Sequence, residues 1–346
     1  MAQRPIGFGV IGADHIHIYR MAADMVAAGG VFKGWWTRNE PEPSARVFQA
    51  FPNASRLADY RTLLDDKSID LILIGAMPGE RAGFAIESMR AGKDVMTDKP
   101  GATTLEDLAQ VRVTAAATGR FWSVAFSERY WVRAMLKAAE LVEQGAIGQV
   151  IHTTGLGPHR GILGQRHPWF FRRESSGGIL GDIASHQIDS FIHFTGSRAP
   201  RIVAASVGNF TRPDHPEFED FGEVLLHGES ASGYLRVDWL TPDGQPYSSD
   251  SRFTVLGTEG VVEVRKYVDL CGQPGTDHLL LVRGDQIERI DCSAVPIRYF
   301  TDIADDVRER STSAERPGHS YLVTELALRA GQTAVRLGHL ANPDRK

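Results

Sequence analysis

A regular alternation of short apolar strands with amphipathic helices over the first third of the chain is the feature that most constrains the fold. The run 6–11 is apolar throughout and the run 69–74 is apolar apart from Asp70, as expected of strands buried on both faces of a parallel sheet. Helical patterns at 15–28, 81–90 and 105–118 separate such runs and end at or near glycine. Strands joined by right-handed helical crossovers predict a doubly wound α/β domain over residues 1–126.

Ligands of such sheets bind beyond the carboxyl ends of the strands, so the residues at those ends are the candidate cofactor contacts. They are Gly12, Ala13, Asp14, His15, Thr37, Arg38, Ala76, Met77, Pro78 and Lys99.

The turn after the first strand, GVIGADHIH, joins a strand to a helix through glycine, an arrangement that presents backbone N–H groups to a pyrophosphate. It predicts an α/β Rossmann domain that binds a dinucleotide. A standard fingerprint has glycine at positions 12, 14 and 17, whereas Asp14 and His17 occupy the last two here. The histidines of this turn could instead pack or cap the helix.

The second strand ends in Thr37-Arg38, where proteins that prefer NAD usually carry an acid for the ribose hydroxyls. A hydroxyl and a guanidinium could bind a 2′-phosphate through charge-assisted hydrogen bonds. The sequence therefore favours NADP over NAD. The alternative is an exposed Arg38 that pairs with Glu40 or Glu42.

The rest of the chain, residues 127–346, predicts an α+β domain with a largely antiparallel sheet for substrate binding and oligomerisation. Its strand-like runs are separated by turns such as PDG and GTEG, and lie at 149–156, 201–210, 221–226, 233–239, 252–256 and 261–264. Two late helices are predicted at 299–310 and 319–337. A strand-rich domain of this kind predicts a homodimer or homotetramer.

Two further motifs carry chemistry. Lys99 stands before Pro100 at the end of a buried strand, where its amine can polarise a hydroxyl or carbonyl; the alternative is a surface lysine before a turn. In GGILGDIASHQID, the α-helical spacing of Asp182, His186 and Asp189 predicts one shared helix face. An aspartate beside a histidine suits general acid–base catalysis, and a buried polar face is the alternative.

The segment 158–175, PHRGILGQRHPWFFRRES, combines basic side chains with three consecutive aromatic residues. Aromatic rings stack on sugar faces and arginines bind carboxylates or phosphates; the alternative is a solvated loop tied down by Trp169. The candidate substrate contacts are Arg129, His159, Arg160, Arg166, Trp169, Arg172, Arg173 and His186.

These motifs, in this order, resemble the Gfo/Idh/MocA family of dehydrogenases over essentially the whole chain. The family's EKP motif appears as Asp98-Lys99-Pro100, and its G-G-x-x-x-D-x-x-x-H-x-x-D pattern matches residues 177–189 position for position. The resemblance implies a sugar, inositol or related polyol substrate, with Lys99, Asp182 and His186 as the catalytic residues. The basic side chains of residues 158–173 favour a sugar or cyclitol that carries an acidic group, such as a sugar acid. The turn lacks two family glycines, and the histidine that many members carry soon after Pro78 is absent.

The sequence therefore predicts an NAD(P)-dependent oxidoreductase that acts on CH–OH groups. A redox-neutral glycoside hydrolase or lyase that uses bound nicotinamide transiently is one alternative, and a non-catalytic sugar or cofactor sensor is another. No metal site is expected, since hydride transfer needs none.

Composition and charge indicate which kinds of partner and cellular compartment to expect. A net charge of -5 with mixed signs argues against nucleic acid as a partner, and no stretch approaches the apolar length of a membrane span. Only two cysteines, without ligand spacing, and no secretory pattern near Met1 favour a reducing cytoplasm.

Overall fold

The computed structural model describes residues 4–38, 48, 50, 51, 53–161, 163–269, 271–316 and 318–338. The chain divides into two compact units. The first comprises Met1–Ala125 and Ile297–Glu325, and the second comprises Phe126–Pro296 and Leu326–Lys346.

The strands are β1 (Gly7–Ala13), β2 (Val31–Trp36), β3 (Ser55–Arg56), β4 (Leu71–Gly75), β5 (Asp94–Asp98), β6 (Trp122–Ala125), β7 (Val150–Pro158), β8 (Arg201–Gly208), β9 (Phe221–His227), β10 (Ser232–Asp238), β11 (Arg252–Gly257), β12 (Gly260–Arg265), β13 (His278–Arg283), β14 (Gln286–Ile290) and β15 (Val335–Leu337). The α-helices are α1 (His17–Ala27), α2 (Arg61–Asp65), α3 (Pro78–Arg90), α4 (Leu105–Thr118), α5 (Ser127–Tyr130), α6 (Arg133–Glu143), α7 (Arg173–Ser176), α8 (Ser185–Thr195), α9 (Tyr299–Glu309) and α10 (His319–Thr333).

The first unit is built on a six-stranded parallel sheet of order β3-β2-β1-β4-β5-β6. Every residue of β1, β4 and β5 is buried, which explains the uninterrupted apolar character of β1 and β4. Strand order reverses between β1 and β4, and this places the switch point beside the first turn. The predicted doubly wound α/β fold is confirmed.

Local signals explain the limits of two of its helices. The Thr104 hydroxyl accepts a hydrogen bond from the Asp107 N–H at 3.0 Å and so caps the start of α4. Gly119, in a left-handed conformation at φ 64°, ends that helix. Pro78 occupies the first turn of α3, where its missing N–H costs no hydrogen bond.

The second unit carries a nine-stranded mixed sheet of order β14-β13-β12-β11-β7-β10-β9-β8-β15. Its pairs are antiparallel except β7 with β10 and β8 with β15. Alternate residues of β9 and β10 are buried, so one face of these strands is packed against the core. Helix α6 contributes Ala134, Met135 and Ala138 to that core. The predicted largely antiparallel sheet is confirmed.

Three features differ from the sequence expectation for residues 127–346. The helix predicted to continue to residue 337 ends at Thr333, because residues 335–337 pair with β8 as β15. The hairpin of β13 and β14 was not predicted, although Gly284 at φ 56° marks its two-residue turn. The segment 297–325, assigned by sequence to the second domain, packs with the first unit.

Within the described residues, no helix combines the length and apolar character needed to span a membrane.

Candidate functional site

The first turn of the parallel sheet is shaped by Gly12, whose φ of 83° lies in the left-handed region. A Cβ on this residue would lie 2.3 Å from the Ala76 Cα, so only glycine fits. The turn is fixed from the side by Thr37, whose hydroxyl accepts a hydrogen bond from the Ala13 N–H at 3.2 Å. A closely approached turn before α1 fits the backbone cradle that a dinucleotide pyrophosphate requires.

Two histidines of this turn meet the carboxylate at the end of β5. His15 Nδ1 lies 2.5 Å from Asp98 Oδ2, although the angle departs from that of an ideal hydrogen bond. His17 Nδ1 lies 3.0 Å from Asp98 Oδ1, which also accepts the Lys99 N–H at 2.8 Å. By spacing alone, these three side chains could share a metal ion.

A fully buried arginine, Arg81 of α3, braces the same strand end. Its guanidinium donates to the carbonyls of Ala76 at 2.7 Å, Asp98 at 3.0 Å and Pro100 at 3.1 Å, and also to Lys99. The peptide between Lys99 and Pro100 is cis, and Lys99 is only 3% exposed. Lys99 is therefore not a surface lysine before a turn, the alternative that the sequence left open.

At the end of β2, Arg38 is largely exposed and pairs with Glu80 of α3 at 3.1 Å. Burial raises the pKa of Glu80, with Asp14 acting in the same direction and Arg38 against it. The acids considered from sequence, Glu40 and Glu42, lie outside the described residues. Met77 occupies the N-cap position of α3, and its side chain makes no capping hydrogen bond.

In the second unit, the glycine pair Gly177-Gly178 lies against the buried carboxylate of Glu219. Gly177 at φ 83° ends α7, and Gly178 adopts φ 69°. A Cβ on Gly178 would lie 2.5 Å from Glu219 Oε2, an oxygen that accepts the Ile179 N–H at 3.1 Å. Burial raises the pKa of Glu219, against the opposing effects of Arg173, this N–H group and Arg336.

The helix that follows begins with a π-helical turn, residues 180–184, before α8. This turn disturbs the regular α-helical spacing on which the single shared face of Asp182, His186 and Asp189 was predicted. Asp182 lines a small cavity together with Gly178, Phe170, Trp239 and Glu219. His186 is 2% exposed, and its ring meets that of Phe126 edge-on at 6.3 Å.

Asp189 is fully buried and engaged by Arg129, one of the predicted substrate contacts. The guanidinium donates from Nε to Oδ2 at 2.8 Å and from Nη2 to Oδ1 at 2.9 Å. It also donates to the Tyr130 hydroxyl and lies over that ring. The structure thus gives Arg129 a protein partner for its fork, as expected of a buried structural ion pair.

Three of the four arginines in the segment 158–175 also have partners within the protein, namely Arg160, Arg166 and Arg173. Arg160 pairs with Asp243 at 3.3 Å and donates to neighbouring carbonyls of the same loop. Arg166 donates to the Gly161 carbonyl and lies over the rings of Phe170 and Trp239.

Arg173 pairs with Glu219 at 3.4 Å and donates to the Gly331 carbonyl. Arg172 is exposed, Trp169 is half-buried against Phe170, and His159 meets Trp239 edge-on.

The sequence placed Asp98 at a ligand-binding strand end without giving it a role, and it did not single out Arg81 in the first unit or Glu219 in the second. Arg81 partners backbone carbonyls, which leave no trace in sequence. The adjacent glycines Gly177 and Gly178 before a helix do indicate that another group approaches the backbone closely, and in the structure that group is Glu219. The position of Asp98 at the end of a fully buried strand, on the ligand-binding edge of the sheet, was the sequence signal for that residue.

Two family comparisons cover most of the chain. Residues 6–126 match the "Oxidoreductase family, NAD-binding Rossmann fold", and residues 135–263 match the "GFO/IDH/MocA C-terminal domain". A crystal structure from Erwinia carotovora atroseptica, whose oxidoreductase assignment is provisional, is similar over 96% of this chain and 100% of that one. Its sequence identity is 42% and its TM-score 0.92.

Curated relatives are more distant. Levoglucosan dehydrogenase of Pseudarthrobacter phenanthrenivorans is 28% identical over 57% of this chain and 51% of its own length. The NADP-dependent scyllo-inositol 2-dehydrogenase of Bacillus subtilis is 24% identical over 62% of this chain and 59% of its own. The chain thus spans about half to three fifths of the curated relatives it matches.

The two family domains, their order and the full-length similarity at 42% identity agree with the parallel sheet, the Gly12 turn and the glycine pair before α8. The chain belongs to the Gfo/Idh/MocA family of oxidoreductases, and its N-terminal domain is the NAD-binding Rossmann domain of that family.

Proposed function

We propose that this protein is a dehydrogenase that oxidises a CH–OH group of a neutral sugar or cyclitol with NADP or NAD. The observation that carries the proposal is the family's Asp–His pattern on a buried helix start, with His186 2% exposed. Sugar and cyclitol dehydrogenases among the relatives support the substrate class.

In the proposed reaction, His186 accepts the proton of the substrate hydroxyl as that oxygen becomes a carbonyl. Lys99 donates a hydrogen bond to the same oxygen and stabilises the negative charge that develops on it. Asp182 orients His186 or shares its proton. The bound nicotinamide supplies the hydride acceptor, and reduction runs these roles in reverse.

The internal partners of the arginines support a neutral substrate. Arg129, Arg160 and Arg173 pair with carboxylates of the protein, and Arg166 is stacked on aromatic rings. An acidic sugar would have to compete with these pairs. The side chains around Asp182 instead include Phe170, Trp239 and carboxylates, groups that suit sugar faces and hydroxyls.

A spectrophotometric screen tests this proposal with neutral sugars, cyclitols and sugar acids, each with NADP⁺ and NAD⁺. One reduced nicotinamide is expected for each hydroxyl oxidised, and the neutral compounds are expected to react best. Glycoside cleavage without net reduction of the cofactor would instead identify a redox-neutral lyase or hydrolase. Activity confined to sugar acids, with KM raised in Arg172→Ala, would contradict the neutral substrate class.

Cofactor choice gives a second expected result. Arg38→Ala should weaken NADP binding roughly 10- to 100-fold, the size of a charge-assisted hydrogen bond, and should leave NAD affinity nearly unchanged. Arg38 is exposed enough to reach a 2′-phosphate, but Glu80 at 3.1 Å opposes that phosphate. Glu80→Gln should therefore strengthen NADP binding.

Calorimetric titration of both cofactors into the three proteins measures these changes. Equal affinities in the wild type, or an unchanged preference in Arg38→Ala, would show that Arg38 does not read the phosphate.

A further inference from the structure

The buried guanidinium of Arg81 joins the ends of two neighbouring strands. Its side chain is fully buried, and its Nε donates to the carbonyl of Ala76, which follows β4, at 2.7 Å. Its Nη1 lies 3.0 Å from the Asp98 carbonyl and 3.1 Å from the Pro100 carbonyl, and it also donates to the Lys99 carbonyl between them. Three successive carbonyl groups at the end of β5 thus converge on one nitrogen, which carries only two hydrogens.

This arrangement holds the backbone of Lys99 at both of its polar groups. Asp98 Oδ1 accepts the Lys99 N–H at 2.8 Å, and the Lys99 carbonyl accepts from Arg81. Lys99 is only 3% exposed, so neither group could turn to water in exchange for its hydrogen bond. The direction in which the Lys99 side chain leaves the backbone is therefore fixed.

The same guanidinium is tied to the turn after β1. A Cβ on Gly12 would lie 2.3 Å from the Ala76 Cα, so this turn packs directly on the residue whose carbonyl Arg81 holds. The Asp14 N–H donates to the Gly75 carbonyl at 3.0 Å, which gives a second link between the turn and the end of β4. The turn and the ends of β4 and β5 thus form one framework around Arg81.

Stability alone does not explain a cation at this position. Removing a guanidinium from water is costly, and a well-packed apolar side chain often stabilises an interior as well as a buried charge does. Methionine could fill the space but could not donate to the carbonyls of residues 76, 98, 99 and 100. Lysine carries its donors on one nitrogen, whereas the planar fork of arginine reaches both strand ends at once.

We propose that Arg81 is a positioning residue that fixes the Lys99 side chain relative to the turn that binds the dinucleotide. Because its own side chain is fully buried, Arg81 acts through Lys99. The inference rests on the proposed role of Lys99 in hydride transfer, a reaction in which displacing a group by about 1 Å can lower the rate roughly 10²-fold.

A second arginine on the same strand provides a matched control. Arg310 Nη1 donates to both oxygens of the fully buried Asp94 carboxylate, at 2.8 and 2.7 Å. Asp94 begins β5, whereas Asp98 ends it. Arg310→Met should therefore disturb the strand at the end remote from Lys99 and destabilise the first unit without moving the amine.

Site-resolved hydrogen exchange of the backbone amides tests the positioning without turnover. Arg81→Lys keeps the charge but loses the fork, and should speed exchange over residues 98–102 roughly 10-fold, about the effect of one lost hydrogen bond. Exchange over residues 94–96 should rise less. Arg310→Met should show the reverse pattern. Unchanged exchange over 98–102 in Arg81→Lys, or the same pattern in both variants, would overturn the proposal.

Turnover per dinucleotide-binding site, with the sites counted by calorimetry, tests the consequence for catalysis. On the substrate that the screen identifies, Arg81→Lys should lower kcat roughly 10- to 100-fold with little change in substrate KM or dinucleotide Kd. In a Lys99→Ala background, the same replacement should lower kcat less than about threefold, because the amine that it displaces is absent. Arg310→Met should keep near-normal turnover per site.

A purely structural role for Arg81 predicts the same factor in both backgrounds, and that result would overturn the proposal. If Arg81→Lys does not fold, Arg81→Gln, which keeps fewer donors, allows the same comparison. Lost turnover in Lys99→Ala with normal turnover in Arg81→Lys would contradict this inference alone. Normal turnover in Lys99→Ala would contradict the proposed function, and the exchange pattern would still decide whether Arg81 positions Lys99.

Discussion

Replacing His186 with alanine is expected to lower turnover roughly 10²- to 10⁴-fold, the usual contribution of a general acid–base group. The side chain is almost completely buried at the start of α8, where the proposed reaction requires a proton acceptor. Dinucleotide affinity should survive, since the Rossmann domain is a separate compact unit. Steady-state kinetics on the substrate found by the screen, with a calorimetric titration of the cofactor, measure both quantities.

The same helix offers a matched control. His193, in the last turn of α8, is exposed, so His193→Ala should retain near-normal turnover. Lys99→Ala tests the proposed hydrogen bond from Lys99 to the substrate oxygen and should lower turnover by a similar factor. If His186→Ala folds, binds cofactor and turns over at the normal rate, another group must accept the proton. His186→Gln provides the same comparison if alanine destabilises the helix.

Sequence patterns predicted the parallel sheet because burial on both faces leaves a direct signature. The run 71–74 is apolar throughout, and the structure places β4 there at Leu71–Gly75. In the second unit, most strands could be located but their order could not. The parallel pairing of β7 with β10 joins distant segments, and alternating polarity does not specify which strands become neighbours.

The candidate functional residues likewise include some that the sequence identifies and some contacts that it does not. Gly177, Gly178, Asp182 and His186 could be identified because fixed spacing preserves a local motif. The pairing of Asp98 with His15 could not, since it joins two strand ends separated by 83 residues and by an intervening strand. The π-helical turn Leu180–Ala184, which contains Asp182, also has no recognisable sequence signature.

Arg129 shows how burial changes the interpretation of a charged residue. Its sequence context, close to the first domain boundary, was compatible with substrate binding. In the structure it forms a bidentate pair with Asp189, and both side chains are buried. A guanidinium occupied in this way stabilises the helix that carries His186, so we infer a structural role.

Arg129→Met is accordingly expected to lower the free energy of unfolding of the second unit by about 3–5 kcal/mol, because it leaves the Asp189 carboxylate buried without its partner. Replacing both residues, Arg129→Met with Asp189→Leu, should recover much of that loss, since no uncompensated charge then remains. Lys137→Ala is the matched control in the same unit. It breaks a more exposed Lys137–Glu140 pair and should cost less than about 1 kcal/mol.

Urea unfolding of these variants, followed by tryptophan fluorescence and circular dichroism, decides between the structural and substrate-binding roles. A structural pair predicts a lower midpoint for Arg129→Met, partial recovery in the double variant, and little change in KM for the folded fraction. A substrate contact predicts the reverse: normal stability, a KM raised at least tenfold, and no recovery when Asp189 is also replaced. The double variant is decisive, because only a buried charge without its partner can be relieved by removing a second charge.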